Sequence, residues 1–318
     1  MSDIVQISHL SHAYDQRLAL DDLSLNIAAG EMFGFLGPNG SGKTTLFRIL
    51  STLIPVQPGP VRMFDLDAAT QRDAIRQRIG VVFQSPSLDK QLTAEENLMH
   101  QGHLYGLRGA DLRQRMTDAL KAVGLLDRAD ERTEHFSGGM RRRVEVAKGL
   151  LHRPRILLLD EPSTGLDPGA RIDLWQHLRQ INQNDGVTVL ATTHLMEEAE
   201  RCSRLAVMAR GHLLAADTPA ALKERIGGDV ITIATHQAVP VSQQLRERLG
   251  IECQTIDGAL RVEHARGHEL VPRIIEAAPG AIDSISVGKP TLEDVFINLT
   301  GHRLAEETAP AETASRVP

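Results

Sequence analysis

The sequence predicts a parallel α/β fold, and three observations lead to that class. Short runs of consecutive apolar residues alternate with segments of helical period. The apolar run at residues 32–36 is followed by a glycine-rich loop and then by a helical pattern. A later run, at residues 156–160, ends directly in acidic residues. Strands that are buried on both faces and joined by helices are typical of parallel sheets.

Length, charge and cysteine content limit the class of protein. A chain of 318 residues suffices for one large domain with an addition, or for two domains. Its formal net charge of −6 argues against a globally basic nucleic-acid binder, and we expect no nucleic-acid partner. Cys202 and Cys253 lie far apart without metal-ligand spacing, which is typical of reduced structural thiols.

The sequence contains neither the pattern of a membrane span nor that of a secretory signal. Crossing a bilayer takes about 20 apolar residues, whereas the apolar runs of this chain have only the length of strands. The N-terminus lacks a basic segment followed by an apolar one. We therefore expect a cytosolic chain, and if it acts at a membrane, another protein must supply the spans.

The elements of the first half follow from local patterns. Alternating apolar residues at 22–30 predict a half-buried strand, and the apolar run after them predicts a buried one. The next helix is predicted by one apolar face, formed by Leu46, Ile49, Leu50 and Leu53. Thr93 precedes Glu96 by three residues, which is the capping box that starts a helix. From there to about residue 134 the pattern is mostly helical.

The character of the sequence changes after the stretch LAVMARGHLLAADTP, residues 205–219. Pro219 and the pair Gly227–Gly228 mark a boundary, and the segments beyond them predict a small β/α unit closed by a helix. The last residues are rich in Ala, Glu, Thr and Pro and lack apolar periodicity, which predicts disorder. We therefore expect a first domain at residues 1–224, an accessory domain at 225–302 and a disordered tail at 303–318.

Residues 37–44, GPNGSGKT, fit the phosphate-loop pattern in full. Its glycines allow a tight turn whose N–H groups converge on phosphate oxygens, and the following helix directs its positive end there. Lys43 would reach the β- and γ-phosphates, and the Thr44 hydroxyl would bind Mg²⁺. A chance glycine-rich turn is the alternative, which the strand before and the helix after disfavour. The nucleotide-binding residues predicted here are Gly37, Pro38, Asn39, Gly40, Ser41, Gly42, Lys43, Thr44 and Thr45.

Two acids follow the apolar run at residues 156–159. Asp160, at a strand end beside the phosphate loop, suits an Mg²⁺ ligand that acts through water. Glu161 is placed to polarise or deprotonate an attacking water. A strand that ends in solvated acids is the alternative, and the phosphate loop makes it the weaker one. No serine or cysteine triad is apparent, and direct attack by water needs none.

The run SGGMRRR, at residues 137–143, puts three arginines at the start of a predicted helix, where the helix dipole disfavours positive charge. One apolar face on this helix is formed by Met140, Val144, Ala147 and Leu151. The glycine pair and the free N–H groups of a helix start favour an incomplete anion site. The arginines are compatible with a nucleic-acid patch, a solvated face, or a place in or around a nucleotide interface. Net acidity and the lack of interleaved aromatics argue against the first.

These motifs, in this order, resemble the ATPase subunit of an ATP-binding-cassette (ABC) transporter. The resemblance covers about residues 4–220, and SGG between the two nucleotide motifs is its specific mark. It implies a P-loop NTPase core with an antiparallel β subdomain and a helical signature subdomain at about 88–150. It also implies a small C-terminal α+β accessory domain.

The resemblance assigns roles to single residues as well. Tyr14 would stack on adenine, and Gln84 would sense Mg²⁺ and the attacking water and couple to the membrane partner. His194 would steady the γ-phosphate and Glu161, while Asp167 would contact the opposite subunit. Each has a plain alternative, such as a half-buried tyrosine, a polar loop residue or a satisfied core histidine. The catalytic residues expected are Lys43, Gln84, Glu161 and His194, and the metal ligands expected are Thr44, Gln84 and Asp160.

A dimer is a further implication of the resemblance. The ATP held by the phosphate loop of one chain would be closed over by the signature residues of another, which are Ser137, Gly138 and Gly139. The two ATPase chains would be identical or related. Phe136 and Met140 depart from the common LSGGQ pattern, and Met140 cannot donate the amide hydrogen bond to a ribose. SGGM followed by arginines, SLDKQLTAEENL and PTLEDVFINLTG are similar to the drug- and lipid-exporter branch, which includes daunorubicin-resistance-type ATPases.

The expected function follows from that resemblance. The chain would hydrolyse ATP with Mg²⁺ at the cytoplasmic face of the membrane and power export of a drug, lipid or similar substrate through a separate multi-span permease. A soluble ABC ATPase of DNA repair or translation is the second class. Such proteins usually carry two cassettes or long coiled-coil insertions, whereas this chain has one cassette and no sustained heptads.

Overall fold

The computed structural model describes residues 2–57 and 59–304. The chain divides into two compact units between Ala216 and Asp217, ahead of a helix that the sequence analysis places in the first domain. Most of the expected tail, from residue 305 onward, lies outside the described residues. Of the helices in the described part of the chain, none combines the length and the apolar composition that crossing a bilayer requires.

A six-stranded sheet forms the centre of the first unit. Its strands are β3 (Met32–Leu36), β6 (Ile79–Val82), β7 (Ile156–Asp160), β8 (Thr188–Thr193), β9 (Arg204–Ala209) and β10 (His212–Asp217). They lie in the order β10-β9-β3-β8-β7-β6, and the pairs from β9 to β6 are parallel. Every residue of β3, β7 and β8 is buried, which confirms the predicted parallel α/β core. The carboxyl ends of these strands therefore share one edge, where α/β folds bind ligands.

An antiparallel sheet completes this core, as the resemblance implies. Its strands are β1 (Asp3–Tyr14), β2 (Arg17–Ala28), β4 (Val61–Met63) and β5 (Leu66–Asp67), in the order β2-β1-β4-β5. Helix α1 (Lys43–Leu50) contacts β2 as well as β7 and β8, so it packs between the two sheets. The prediction that Leu53 belongs to the apolar face of α1 is wrong, because its side chain is 57% exposed. The helix ends at Leu50, and Thr52 has a φ of 61°, which turns the chain away.

Helices cover the other side of the core sheet. They are α3 (Ala94–Leu104), α4 (Gly109–Ala122), α5 (Gly138–Leu150) and α6 (Pro168–Asp185). Helix α2 (Arg72–Arg76) instead packs through Ile75 in the same cluster as α1, and the short helix α7 (Met196–Ala199) follows β8. Single 3₁₀ turns lie at Leu126–Arg128 and Thr133–His135. The predicted capping box is confirmed, because Glu96 N donates to Thr93 Oγ1 at 3.0 Å and Thr93 N to Glu96 Oε2 at 2.8 Å. The apolar face predicted for α5 is confirmed too, and it joins α3, α4 and α6 in one cluster.

The second unit is the small α+β unit that the sequence predicts. Its elements are α8 (Pro219–Glu224), β11 (Asp229–Ala234), α9 (Ala238–Leu249), β12 (Gln254–Ile256), β13 (Ala259–His264), α10 (Gly267–Ala277), β14 (Ser284–Gly288) and α11 (Leu292–Thr300). The antiparallel sheet has the order β12-β13-β11-β14. With α9 and α10 between the strands, this is the βαββαβ arrangement of ferredoxin-like folds. The unit has its own apolar core, so it is built as a separate domain.

Candidate functional site

The phosphate loop connects the end of β3 to the start of α1, as its sequence pattern requires. Gly42, which precedes the helix, has a φ of 100°, a conformation that favours glycine. A Cβ at Gly37 would lie 2.3 Å from Met208 O, and a Cβ at Gly42 would lie 2.6 Å from Ala19 O. Both glycines therefore allow a close approach of backbone to backbone.

The ammonium group of Lys43 lies inside this loop. Its Nζ donates hydrogen bonds to Gly37 O at 2.7 Å and to Pro38 O at 2.8 Å. Burial lowers the pKa of Lys43 to about 8, and the carboxylates of Glu161 and Asp160 oppose that shift. The loop therefore holds a desolvated cation with two acids close by.

The other loop residues differ in exposure. Ser41 is buried, and its carbonyl oxygen accepts a hydrogen bond from Gly211 N at 3.1 Å. Thr45 is also buried, whereas Asn39, Gly40 and Thr44 are exposed. The hydroxyl of Thr44 thus stands at an open helix start.

Asp160 ends β7 and is only 6% exposed. Burial raises the pKa of its carboxyl group, and the hydrogen bond from Thr192 opposes that shift. The Thr192 hydroxyl donates to Asp160 Oδ1 at 2.6 Å and accepts from Glu161 N at 2.9 Å. Sequence reasoning did not single out Thr192, whose only signal was its place in an apolar strand next to Thr193 and His194. One hydroxyl on the neighbouring strand therefore orients both acids.

Glu161 lies at the centre of the candidate site. Its Oε2 accepts from Gln84 Nε2 at 3.3 Å and from Thr164 Oγ1 at 3.1 Å. Its Oε1 lies 3.3 Å from His194 Nδ1. The residue has a φ of 42°, which is uncommon outside glycine and is typical of functional positions. Three residues expected to be catalytic, Gln84, Glu161 and His194, thus meet within hydrogen-bonding range.

His194 follows β8 directly, at the same edge of the sheet. Although its Nδ1 is close to Glu161, the geometry is not that of a hydrogen bond. That nitrogen is buried and has no hydrogen-bond partner among the described residues. A buried polar atom without a partner is costly, which is consistent with a contact that is completed by a ligand.

Tyr14 lies in the hairpin between β1 and β2, where it pairs with Arg17. It is 42% exposed, and its ring makes an edge contact with His12 at 5.0 Å between centroids. The hairpin borders the phosphate loop, because a Cβ at Gly40 would lie 3.8 Å from Arg17 Nη2. Arg17 was not singled out from the sequence, since a lone arginine after a turn carries no pattern.

The signature residues are not brought to the phosphate loop of their own chain. Among the described residues, no hydrogen bond joins the segment Ser137–Gly139 to residues 37–44. Ser137 caps α5 by accepting from Met140 N at 3.2 Å. A Cβ at Gly139 would lie 2.6 Å from Ala170 Cβ, so this glycine lets α5 pack closely against α6.

Asp167 caps the neighbouring helix. Its Oδ1 accepts a hydrogen bond from Ala170 N at 3.0 Å at the start of α6. The contact expected between Asp167 and an opposite subunit needs a second chain, so a single chain does not test it. Met140, which departs from the common signature, packs in the apolar cluster and accepts from Arg128 Nη1 through its sulfur at 3.2 Å.

Each of the three signature arginines donates to a backbone carbonyl oxygen. Arg141 donates to Phe136 O, and Arg143 donates to Val123 O at 3.1 Å. Arg142 is buried and donates to three carbonyl groups. Arg142 is buried and the other two arginines are partly buried, so the three do not form the fully solvated face that was one interpretation of the run. These carbonyl oxygens, which are local for Arg141 and distant in the chain for Arg142 and Arg143, offset the unfavourable charge at the helix start.

Comparison with known proteins agrees with these motifs. Residues 20–164 match the family model described as ABC transporter. The chain is 36% identical over 323 residues to the daunorubicin resistance ATP-binding protein DrrA2 of Streptomyces coeruleorubidus, with 98% of each chain covered. It is 34% identical over 312 residues to the linearmycin resistance ATP-binding protein LnrL of Bacillus subtilis, covering 95% of this chain and 100% of that one.

A solved structure shares the fold. The dimeric structure of MJ0796, a bacterial ABC transporter cassette, superposes with a TM-score of 0.60 at 29% identity and covers 67% of this chain and 98% of that chain. Near-complete coverage at more than one-third identity goes beyond a shared fold. The chain therefore belongs to the ABC transporter family, and it is an ATPase that binds and hydrolyses ATP.

Proposed function

We propose that this chain is the ATP-hydrolysing subunit of an exporter and that it works as a dimer on a separate multi-span membrane permease. The observation that carries the proposal is the cluster of Gln84, Glu161 and His194 beside Lys43 and Asp160. The relatives support it through their names, which describe resistance ATP-binding proteins. Those names do not favour the soluble class of DNA repair or translation.

Hydrolysis in this site transfers the γ-phosphoryl group of ATP to water and releases ADP and phosphate. Glu161 accepts the proton of the attacking water, and Gln84, which donates to Glu161 at 3.3 Å, orients that water. Lys43 leaves the loop carbonyls and pairs with the β- and γ-phosphates, where its positive charge balances the charge that develops. His194, whose Nδ1 lies 3.3 Å from Glu161 Oε1, steadies the γ-phosphate and Glu161.

Mg²⁺ fits the oxygen groups at this edge of the sheet. Thr44, Gln84 and Asp160 would hold it, Asp160 through water, because Mg²⁺ prefers oxygen ligands and keeps several waters. The ion would supply charge neutralisation of the phosphate oxygens. A single buried carboxylate is typical of a metal that is bound together with a nucleotide.

The dimer places the second half of the site on another chain. The segment Ser137–Gly139 is a helix start with free N–H groups. Among the described residues, it forms no hydrogen bond with the phosphate loop of its own chain. A head-to-tail partner, identical or related, would bring its ATP to this segment, and Asp167 beside it would contact that partner. Tyr14 would stack on the adenine held by its own chain. The dimeric cassette structure supports this arrangement.

The chain would sit at the cytoplasmic face of the membrane and drive export of a drug, lipid or similar substrate that the permease selects. Residues 1–224 would form the nucleotide-binding domain, with the signature subdomain at about 88–150. Residues 225–302 would form an accessory domain, and 303–318 would be a tail.

Ser137→Arg tests the head-to-tail site. The added side chain blocks the signature segment without touching the phosphate loop, so we expect normal ATP binding to the monomer and hydrolysis lowered by about 100-fold or more. Loss of the helix cap costs about 1 kcal/mol, which a thermal melt will register separately. Ser286→Arg, on β14 of the second unit, is the control and should hydrolyse ATP normally. Full activity of Ser137→Arg would refute the shared site.

Copurification tests the exporter itself. The full-length chain should bring down a multi-span membrane protein from detergent-solubilised membranes. An ATPase that purifies with ribosomes or DNA instead would contradict the transporter assignment and support the soluble class.

A further inference from the structure

We propose that Arg142 and Glu145, a buried ion pair on α5, are positioning residues that hold the segments of Gln84 and Glu161 at a fixed separation. The inference rests on the proposed roles of Gln84 and Glu161. It concerns the arginine run whose place at a helix start is locally unfavourable. Neither residue contacts the phosphate loop, so both act through other groups.

The guanidinium group of Arg142 joins two catalytic segments. Its Nη1 donates to Phe83 O at 2.6 Å, directly before Gln84. Its Nε donates to Pro162 O at 2.7 Å and its Nη2 to Asp160 O at 3.2 Å, which are the carbonyls on either side of Glu161. One rigid planar group therefore spans both backbones whose side chains meet at 3.3 Å.

Glu145 holds that guanidinium group from the next turn of α5. Its Oε2 accepts from Arg142 Nη1 at 2.6 Å, and its Oε1 accepts from Ser87 N at 2.7 Å. Ser87 lies three residues after Gln84, so the pair forms hydrogen bonds to the backbone on both sides of the glutamine, at Phe83 and at Ser87. The side chains of Arg142 and Glu145 are only 8% and 5% exposed.

Stability alone does not account for such a pair. Taking two charges out of water is expensive, and well-packed apolar residues of similar volume are often as stabilising or more so. A buried pair in which each guanidinium nitrogen also donates to a backbone carbonyl instead favours one geometry over its neighbours. That geometry is the distance between the Gln84 segment and the Glu161 segment.

The pair also belongs to the helix that carries the signature. Gly139 lies three residues before Arg142, and both are in α5. A nucleotide that binds to the segment Ser137–Gly139 therefore acts on the same rigid element that holds Glu161. The arginine run thus connects the nucleotide of a partner chain to the catalytic segments of this one.

Arg142→Lys in the full-length chain tests the proposal. Lysine keeps the charge, but its ammonium cannot span carbonyls on two segments in the way that a guanidinium does. Because small displacements of catalytic groups are costly, we expect kcat for ATP to fall by about 10- to 100-fold. The KM and the affinity of the monomer for ATP should stay within about twofold, since Lys43 and its loop are untouched.

Arg266→Lys is the matched control. Arg266 forms an i,i+3 pair with Glu269 at 3.0 Å, like the pair in α5, but it is exposed and lies in the second unit. We expect its kcat to match that of the unmodified chain. A purely structural role of Arg142 would lower the melting temperature and leave kcat per folded molecule unchanged, which would overturn the proposal.

If Arg142→Lys does not fold, Glu145→Gln tests the positioning role of the pair instead. The amide preserves shape and an acceptor for Ser87 N but removes the ionic partner of Arg142, so kcat should fall with KM retained. Where both variants fold, their effects should not add, because they break one unit. A kcat within twofold of the unmodified chain in either folded variant refutes the proposal. Glu161→Gln is measured in parallel, and full activity there would instead refute the role of Glu161 on which the inference rests.

Discussion

Gln84 Nε2 lies 3.3 Å from Glu161 Oε2, although 77 positions separate the two residues in the chain. The sheet register explains the contact. Val82 is paired with Leu159 in the parallel strands β6 and β7, and each partner in the contact lies two residues after its member of that pair. Because β6 and β7 run parallel and their ends are in register, the loops that follow them bring the Gln84 amide and the Glu161 carboxylate together.

Glu161→Gln should separate ATP binding from hydrolysis. The amide keeps the size of the side chain but cannot accept the proton of water, so hydrolysis should fall by about 100-fold or more while ATP still binds. The ATP-bound dimer should then accumulate and elute earlier in gel filtration. Glu247→Gln, on the surface of α9, is the control. A variant that stays monomeric with ATP and hydrolyses it normally would show that Glu161 is not the base.

The ATP affinity should depend on pH through Lys43. Its pKa of about 8 is below the ordinary value because the folded loop desolvates the ammonium. Phosphate favours the charged form, so affinity should be constant well below pH 8 and fall as the pH rises through 8. Binding near pH 8 should take up a proton, which calorimetry in buffers of different ionisation enthalpy measures.

Two variants of this position sharpen the pH test. Lys43→Ala should abolish productive ATP binding, because it removes the ammonium group expected at the β- and γ-phosphates. Lys43→Arg stays charged at all accessible pH values, so its residual binding should lose the dependence around pH 8. An equal fall in affinity with pH in Lys43→Arg would assign the titration to another group.

Gly37→Ala should damage the phosphate loop by a steric clash alone. The added Cβ would lie 2.3 Å from Met208 O, a rigid backbone atom on β9. We expect a loss of stability of about 1–3 kcal/mol or more, together with weakened ATP binding. Gly288→Ala on β14 is the control, because nothing lies within 4 Å of its added Cβ. Equal melting temperatures for the two variants would contradict the packing that the structure shows.

Thr192→Val should slow hydrolysis with little effect on packing. Valine matches the shape of threonine but lacks the hydroxyl that orients Asp160 and Glu161. Leaving a partly buried N–H and a buried carboxylate without this partner costs about 1–3 kcal/mol in stability, and kcat should fall about tenfold. Thr232→Val, on β11 of the second unit, is the control. Unchanged kcat in Thr192→Val would show that the acids orient without it.

Local sequence patterns were sufficient to predict most helices and strands of the chain and the phosphate loop, which is a contiguous motif. The phosphate loop is made of consecutive residues, so its donors and glycines are visible as one pattern between a strand and a helix. The capping box of Thr93 and the apolar face of α5 have the same local character. Leu53 was misplaced because helical spacing continues beyond Leu50, whereas the turn at Thr52 ends the helix.

The environment of Glu161 depended on the tertiary structure. Its partners Gln84 and His194 come from different loops, and Thr192 and Arg142 reach it through backbone groups of separate elements. Such contacts follow from sheet order and register, which no local pattern contains. The three arginines of the signature look like a solvated run in the sequence, and only the tertiary structure supplies the distant carbonyl oxygens that Arg142 and Arg143 bind. The sequence therefore determined which chemical groups are present, and the packing of strands and helices decided which of them meet, because hydrogen bonds act over a few ångströms in space regardless of distance along the chain.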